Sequence, residues 1–195
     1  MKRLILLTGL CAIVLSRAAS GADTYKVDPV HSTVGFAVAH MVISTVKGKF
    51  DEFSGTVTLD NNQVQTAQAT IQTKSVDTGV AARDKDLRSA NFFDVEKYPT
   101  ITFQTKSAAM EGENTVLVGD FTMHGVTKSL SLPVKVKGPI KDPWGNMRIG
   151  LEGSTKISRK DFGLTYNKAL ETGGLVVGDE VEIQINAEAV RAAPK

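Results

Sequence analysis

The constraint that narrows the fold most is a two-residue alternation that recurs along the chain. Val181, Ile183, Ile185, Ala187 and Ala189 alternate with Glu182, Gln184, Asn186 and Glu188. Val126, Leu130, Leu132, Val134 and Val136 alternate with Thr127, Ser129, Ser131, Lys135 and Lys137, with only Lys128 out of pattern. A period of two puts one set of side chains on each face of an extended strand, so these segments predict half-buried strands. The same parity joins Val34, Phe36, Val38 and His40; Val57 and Leu59 at the end of a segment running from Lys49; Ala67, Ala69 and Ile71; Ile101, Phe103 and Thr105; Leu117, Gly119, Phe121 and Met123; and Ile149, Leu151 and Ile157. That makes about eight strands.

Turn-forming clusters separate them: Asp60-Asn61-Asn62, Glu111-Gly112-Glu113-Asn114, Gly138-Pro139, Asp142 to Asn146, and Gly173-Gly174 with Gly178-Asp179. Connections this short favour antiparallel neighbours. One apolar face per strand fits a sandwich or a closed barrel. The expected faces carry Gly and Ala beside large groups, and small inward residues leave space. An eight-stranded barrel is either filled by its side chains or holds one small ligand, and the small residues favour the second. The expected fold class is therefore all-β, an antiparallel β-barrel of about eight strands.

One stretch breaks the alternation. Between Val80 and Ser89 charged residues crowd together, and Asp84 and Arg88 stand at the i,i+4 spacing of a helix face. The spacing predicts a short helical segment near residues 80–90 with Thr78 as its N-cap. Phe92-Phe93 and Tyr98-Pro99 follow before the next strand. This segment is expected to close or line one end of the barrel.

The first residues read as an export leader. Lys2 and Arg3 precede an apolar run from Leu4 to Leu15, and Ser20-Gly21-Ala22 supplies the small residues of a cleavage site. Removal of residues 1–22 would leave one domain, 23–195, and a periplasmic protein. The apolar run is too short to span a bilayer comfortably, and no integral membrane span is expected. Lys2, Arg3 and Arg17 lie in the leader, so its loss takes the formal net charge from +2 to −1. A near-neutral chain argues against a nucleic-acid partner, because phosphate binding needs a basic stripe. Cys11, the single cysteine, also leaves with the leader. The mature chain then has no disulfide and no thiol chemistry, and its stability must come from a core.

Val27-Asp28-Pro29-Val30-His31-Ser32, Val38-Ala39-His40-Met41, Val46-Lys47-Gly48-Lys49-Phe50, Thr78-Gly79 with Arg83-Asp84 and Leu87-Arg88, Phe92-Phe93-Asp94, Lys97-Tyr98-Pro99, Ile101-Thr102-Phe103, Gly119-Asp120-Phe121-Thr122-Met123-His124-Gly125-Val126-Thr127, and Ile157-Ser158-Arg159 with Asp161-Phe162-Gly163 stand in an order and spacing that span nearly the whole mature chain. In that order they resemble the YceI-like family, also called polyisoprenoid-binding proteins. The resemblance implies a lipocalin-like barrel with a helical segment after the third or fourth strand. It also implies an elongated apolar cavity for an isoprenoid chain, such as the tail of a quinone or a polyprenyl phosphate.

On that reading Phe36, Val38, Ile71, Phe103, Phe121 and Met123 are candidate cavity wall, although lining and solid core share one composition. Phe92 and Phe93 would plug against a ligand tail or pin the helix to the sheet. Arg83 and Arg88 are candidate head-group contacts, since guanidinium forks suit phosphate; a solvated helix face explains the same charge run. His40 shares parity with Phe36 and Val38 and so would point inward near a barrel end. His31, His40 and His124 show no metal-binding spacing, and neither a metal nor another cofactor is expected. Asp28, His31 and Ser32 lie close in sequence, but no nucleophile elbow accompanies them. Two functions follow: a binding protein without a catalytic site, or a small hydrolase using a histidine with Ser32 or a carboxylate. A homodimer stays open.

Overall fold

Alternating β-branched and polar residues favour pleated backbone with one face buried, and strands dominate the result. The computed structural model describes residues 21–169 and 175–192. Its strands are β1 (Asp23–His40), β2 (Ser44–Phe50), β3 (Phe53–Asp60), β4 (Gln63–Gln72), β5 (Val76–Asp77), β6 (Thr100–Glu111), β7 (Asn114–Met123), β8 (Val126–Lys141), β9 (Met147–Ser158) and β10 (Val177–Arg191). The sheet runs β10-β9-β8-β7-β6-β4-β3-β1, and β1 pairs back to β10. These eight strands close an antiparallel barrel, as the alternation predicts. Of the expected leader, residues 1–20 lie outside the described residues, as does the Gly173-Gly174 turn.

Strand β1 is longer than its alternation suggests. Its first half pairs with β3, from Asp23 opposite Leu59 to Lys26 opposite Thr56. Its second half pairs with β2, from Val34 opposite Phe50 to His40 opposite Ser44. Between them the register against β10 slips, because Asp28 faces Glu188 while Thr33 faces Asn186. The intervening residues bulge out and leave Val30 exposed. Pro29, which cannot donate to a ladder, sits in this bulge, where a strand tolerates it.

Two expectations about local structure are corrected. The segment from Lys49 to Leu59 is not one strand: it breaks at Asp51-Glu52 into β2 and β3, because the chain must leave the upper half of β1 and join the lower half. The helix forms as α1 (Ala81–Arg88), but Thr78 is not its N-cap. Val80 holds that position without a side-chain bond. Asp84 reaches back instead, and its Oδ1 accepts from both the amide of Thr78 at 2.9 Å and its hydroxyl at 2.5 Å. Arg88 donates to the carbonyl oxygens of Lys74 and Val76 and does not pair with Asp84. A helix of eight residues is marginal alone, and these contacts tie it to the barrel.

Apolar residues fill one end of the interior. Tyr25, Val57, Leu59, Val64, Leu117, Ile149 and Ala189 form a packed cluster there, each no more than 4% exposed. The outer face is polar, with ion pairs such as Lys137–Glu152 and Lys156–Glu180 laid across neighbouring strands. Apolar-in and polar-out is the reverse of a transmembrane barrel. Among the described residues no helix is long and apolar enough to cross a membrane.

Candidate ligand-binding site

Above the packed end, the interior is not filled. A middle cavity of about 120 Å³ is walled by Val27, Val57, Ala67, Ala69, Phe103, Leu132, Ile185 and Ala187, among others. An upper cavity of about 110 Å³ lies among Phe36, Val38, Phe50, Leu87, Phe92, Phe93, Met123 and Val181. Val34, Ile71, Phe121 and Ile183 belong to both walls, so the two spaces meet at that ring of side chains. A water needs roughly 10–15 Å³ on this measure, so each space is many times that size, and each is almost wholly apolar.

The upper cavity borders a third space of about 270 Å³, and Phe36, Val38, Leu87, Phe92 and Val177 belong to both walls. The wall of this mouth, apolar over most of its area, also carries polar and charged side chains: His40, Arg83, Asp86, Tyr166, Asn167 and Lys168. Along β10 the three spaces run from Val177 to Ala187. Ten residues cover ~33 Å of strand at ~3.3 Å each, or ~25 Å of barrel axis at a tilt of ~40°.

The space exists because two phenylalanines lie along the wall. Phe36 faces Gly48 across the β1–β2 ladder. A Cβ on Gly48 would stand 2.4 Å from the ring, which occupies the missing side chain's place. Phe103 sits in the same way beside Gly119, whose Cβ would come within 2.9 Å of its ring. Each glycine lets a large ring fold against the sheet and leave the lumen clear.

The sequence candidates fall as follows. Phe36, Val38, Ile71, Phe92, Phe93, Phe121 and Met123 line the upper cavity, Phe103 the middle one, and His40 the mouth. Phe93 also packs edge-on against Phe50 at 5.6 Å between centroids, and Phe92 against Tyr166 at 5.3 Å. The two aromatics therefore anchor the segment after α1 and line the space at once. Arg83 lies in the mouth wall, while its guanidinium holds Thr78 through the hydroxyl at 2.7 Å and the carbonyl at 3.0 Å. Arg88 is spent on two backbone carbonyls and lies outside the three walls.

Sequence reasoning placed Arg159 in a family motif, Ile157-Ser158-Arg159, but gave it no role at the site. It is 3% exposed, stands beside the upper cavity and directs every N–H at an acceptor. The acceptors are the carbonyls of Leu164, Tyr166, Val177 and Gly178 and the carboxylate of Asp179. Burial lowers its pKa from the ordinary value, and Asp179 opposes the shift. Arg159 holds the strap after β9 across the end of the barrel. No alternation or motif spacing marks such a role, because its partners are backbone groups brought in from a distance. Tyr166, Asn167 and Lys168 escaped for the same reason. Val181 and Ile183 were legible by parity.

The histidines outside the mouth have local partners. The Nδ1 of His124 lies 3.1 Å from the carbonyl of Phe162, and its ring packs at a tilt against Tyr98. The Nδ1 of His31 lies 2.9 Å from Asp28. Ser32 donates its hydroxyl to the Asp28 carbonyl at 2.6 Å and accepts from the Glu188 amide at 3.0 Å. Its hydroxyl therefore serves the β1 bulge, and His31 is turned to Asp28. Asp28, His31 and Glu188 bring three ligand-type atoms close together, but Arg148 occupies this cluster, reaching Asp28 at 2.9 Å and Glu188 at 3.3 Å.

Known proteins share this architecture. A family model described as YceI-like domain matches residues 25–189. The protein called Protein YceI from Salmonella newport is 37% identical over 195 residues, covering 98% of this chain and 99% of that one. The crystal structure of BcnA from Burkholderia cenocepacia superimposes with a TM-score of 0.72 at 25% identity, over 83% of this chain and 98% of that one. A structure from Saccharophagus degradans, described as a polyisoprenoid binding domain, superimposes with a TM-score of 0.65 at 19% identity, over 86% and 98%.

Proposed function

The chain belongs to the YceI-like family, and from that premise we propose that it is a carrier that holds a long apolar lipid of the isoprenoid type. The tail lies in the upper and middle cavities, and the polar head rests among His40, Arg83 and Lys168 at the mouth. The observation that carries this reading is the apolar space blocked by packed side chains at one end and bordered by polar and charged side chains at the other. A compact polar substrate would gain little from such a wall. An extended hydrocarbon gains its whole transfer free energy: a tail of roughly 500 Å² yields ~12 kcal/mol gross at ~25 cal/mol/Å². Association costs of ~4–15 kcal/mol offset much of that, so affinity grows with the length of tail enclosed. The polyisoprenoid binding described for the Saccharophagus degradans domain, which shares this fold, agrees with such a tail. Quinones and polyprenyl phosphates both fit it.

The carrier reading involves no reaction. The hydroxyl of Ser32, the nucleophile of the hydrolase alternative, is engaged with Asp28 and Glu188, and its neighbour His31 pairs with Asp28. We also propose that the carrier works in the periplasm, a reading supported by Lys2-Arg3 followed by the Leu4–Leu15 run.

Native mass spectrometry of protein recovered gently from the cell envelope tests the carrier. The expected result is a second mass series offset by one apolar lipid. A ligand-free protein that also takes up neither a quinone nor a polyprenyl phosphate on incubation would overturn it.

A further inference from the structure

Three hairpin turns among the described residues carry positive φ at both central positions. Two use residues suited to left-handed backbone: Asn61-Asn62 and His124-Gly125. The third, at the end of β1, uses Met41-Val42, with φ of 50° and 63°. A β-branched residue is a genuine outlier there. The turn is not loose. The Ile43 amide closes it on the His40 carbonyl at 3.2 Å, and the Met41 amide donates to the Val176 carbonyl at 2.8 Å. This fixed turn holds Val42 at 79% and Ile43 at 82% exposure.

The position of the turn matters as much as its composition. His40, immediately before it, lines the mouth, as does Val176, which anchors it. Across the mouth stands α1, preceded by Val80, which is also exposed. Of the charged side chains in the mouth wall, Arg83 and Lys168 are cationic and Asp86 anionic, and Lys85 adds an exposed cation on α1. Apolar residues aimed outward beside a cationic rim match the interface of a bilayer containing anionic phospholipid.

We propose that this rim docks on such a bilayer, with Val42 and Ile43 entering the interface so that the cavity opens against the membrane. The proposal rests on the carrier reading and adds where the tail is taken up and released. The strained, exposed turn is continuous, through His40 and Val176, with the wall of the mouth beside the upper cavity.

The test is vesicle flotation of protein recovered from the envelope of cells expressing the full chain. The vesicles are phosphatidylcholine with or without phosphatidylglycerol. The variant is Val42→Asn with Ile43→Asn: Asn suits the positive φ at position 42 and so keeps the turn, and at position 43 it replaces the second exposed apolar side chain. The parent is expected to float with the phosphatidylglycerol vesicles, and the variant to partition on the order of tenfold more weakly with an unchanged or raised Tm. Equal flotation of parent and variant overturns the proposal. So does a parent that floats with neither vesicle, which would assign the turn to a protein partner. Flotation equal with and without phosphatidylglycerol overturns the anionic requirement. Native mass spectrometry of the same two samples separates the two readings. A variant that keeps its lipid but loses vesicles supports docking and leaves the carrier intact. Flotation that depends on the turn, in protein that never holds a lipid, refutes the carrier and sustains docking.

Discussion

Replacing Gly48 with Ala should close the lumen without unfolding the barrel. The new Cβ would stand 2.4 Å from Phe36 Cζ, 2.7 Å from its Cε1 and 2.9 Å from Thr78 Cγ2. Non-bonded carbons settle at roughly 3.5–4.0 Å, so the ring must move by about 1 Å. The sheet lies behind it, and the upper cavity of about 110 Å³ lies in front, so the ring swings into the lumen. Overpacking a filled core costs ~1–3 kcal/mol; a ring with free space beside it should sit at the low end of that range. Gly48 does not have positive φ, so Ala also restricts the unfolded chain, which contributes ~0.4–1 kcal/mol of stability. The two effects nearly cancel. Melting should shift by no more than about 2–4 °C, while the lipid retained through purification falls sharply. Adding Phe36→Leu removes the displaced ring and should restore retention. Thermal melting and native mass spectrometry on the parent, single and double variants make the measurement. A Gly48→Ala protein that melts ~10 °C lower and still carries its full lipid would refute the argument, because Phe36 would then be packed in a solid core.

Gly119→Ala should behave differently: its Cβ meets the Gln104 carbonyl oxygen at 2.4 Å, a backbone group that cannot swing away, so loss of stability beyond ~1–3 kcal/mol is expected in urea melts. The Asp28–Arg148–Asp142 network should shape acid stability. Hydrogen bonds from His31 and Arg148 hold the Asp28 carboxyl at about 2 against an ordinary 3.8, and those from Arg148 and the Asn146 side chain do the same for Asp142. Carboxylates with lowered folded pKa stabilise fully above the unfolded value and lose that contribution as pH falls toward the folded one. Melting of the parent should therefore drop steeply between about pH 4 and 2, and Arg148→Gln should be less stable at pH 6 and flatter through the acid range; parallel curves would show that the network does not matter. N-terminal sequencing of envelope protein should give a start near Asp23, and retention of Met1 would count against export.

The barrel was legible wherever one strand face meets water and the other does not. Val181 to Ala189 and Val126 to Val136 announce both their conformation and their inward face, because a period of two has no other structural meaning. Legibility failed where one strand serves two neighbours. Nothing in Asp23 to Ser32 alternates cleanly, since that stretch pairs with β3, bulges, and continues toward β2. Inward parity placed Phe36, Phe103, Phe121 and Met123 on the lumen, but it could not separate lumen from core. That distinction depends on Gly48 and Gly119, whose meaning appears only when the opposing ring is known. The role of Arg159, although a family motif marks its position, and the mouth residues Tyr166 and Lys168 were illegible because their partners are groups brought in from a distance, which leave no pattern along a chain.

The closure of β1 on β10 bears on how the chain reaches this state. Asp23 and Arg191, which pair at the seam, are 168 residues apart in sequence. A wall sealed by its first and last strands has high contact order, and such topologies fold slowly because the loop between the contacts must be closed before they form. A chain threaded across a membrane from its N-terminus would present β1 early and wait for β10. Until then the inward faces of the other seven strands lie open to one side as an apolar trough. A lipid present at that moment can be enclosed sideways, by the closing seam, without passing the mouth. Cargo could then depend on where the chain folds as well as on what the finished barrel meets.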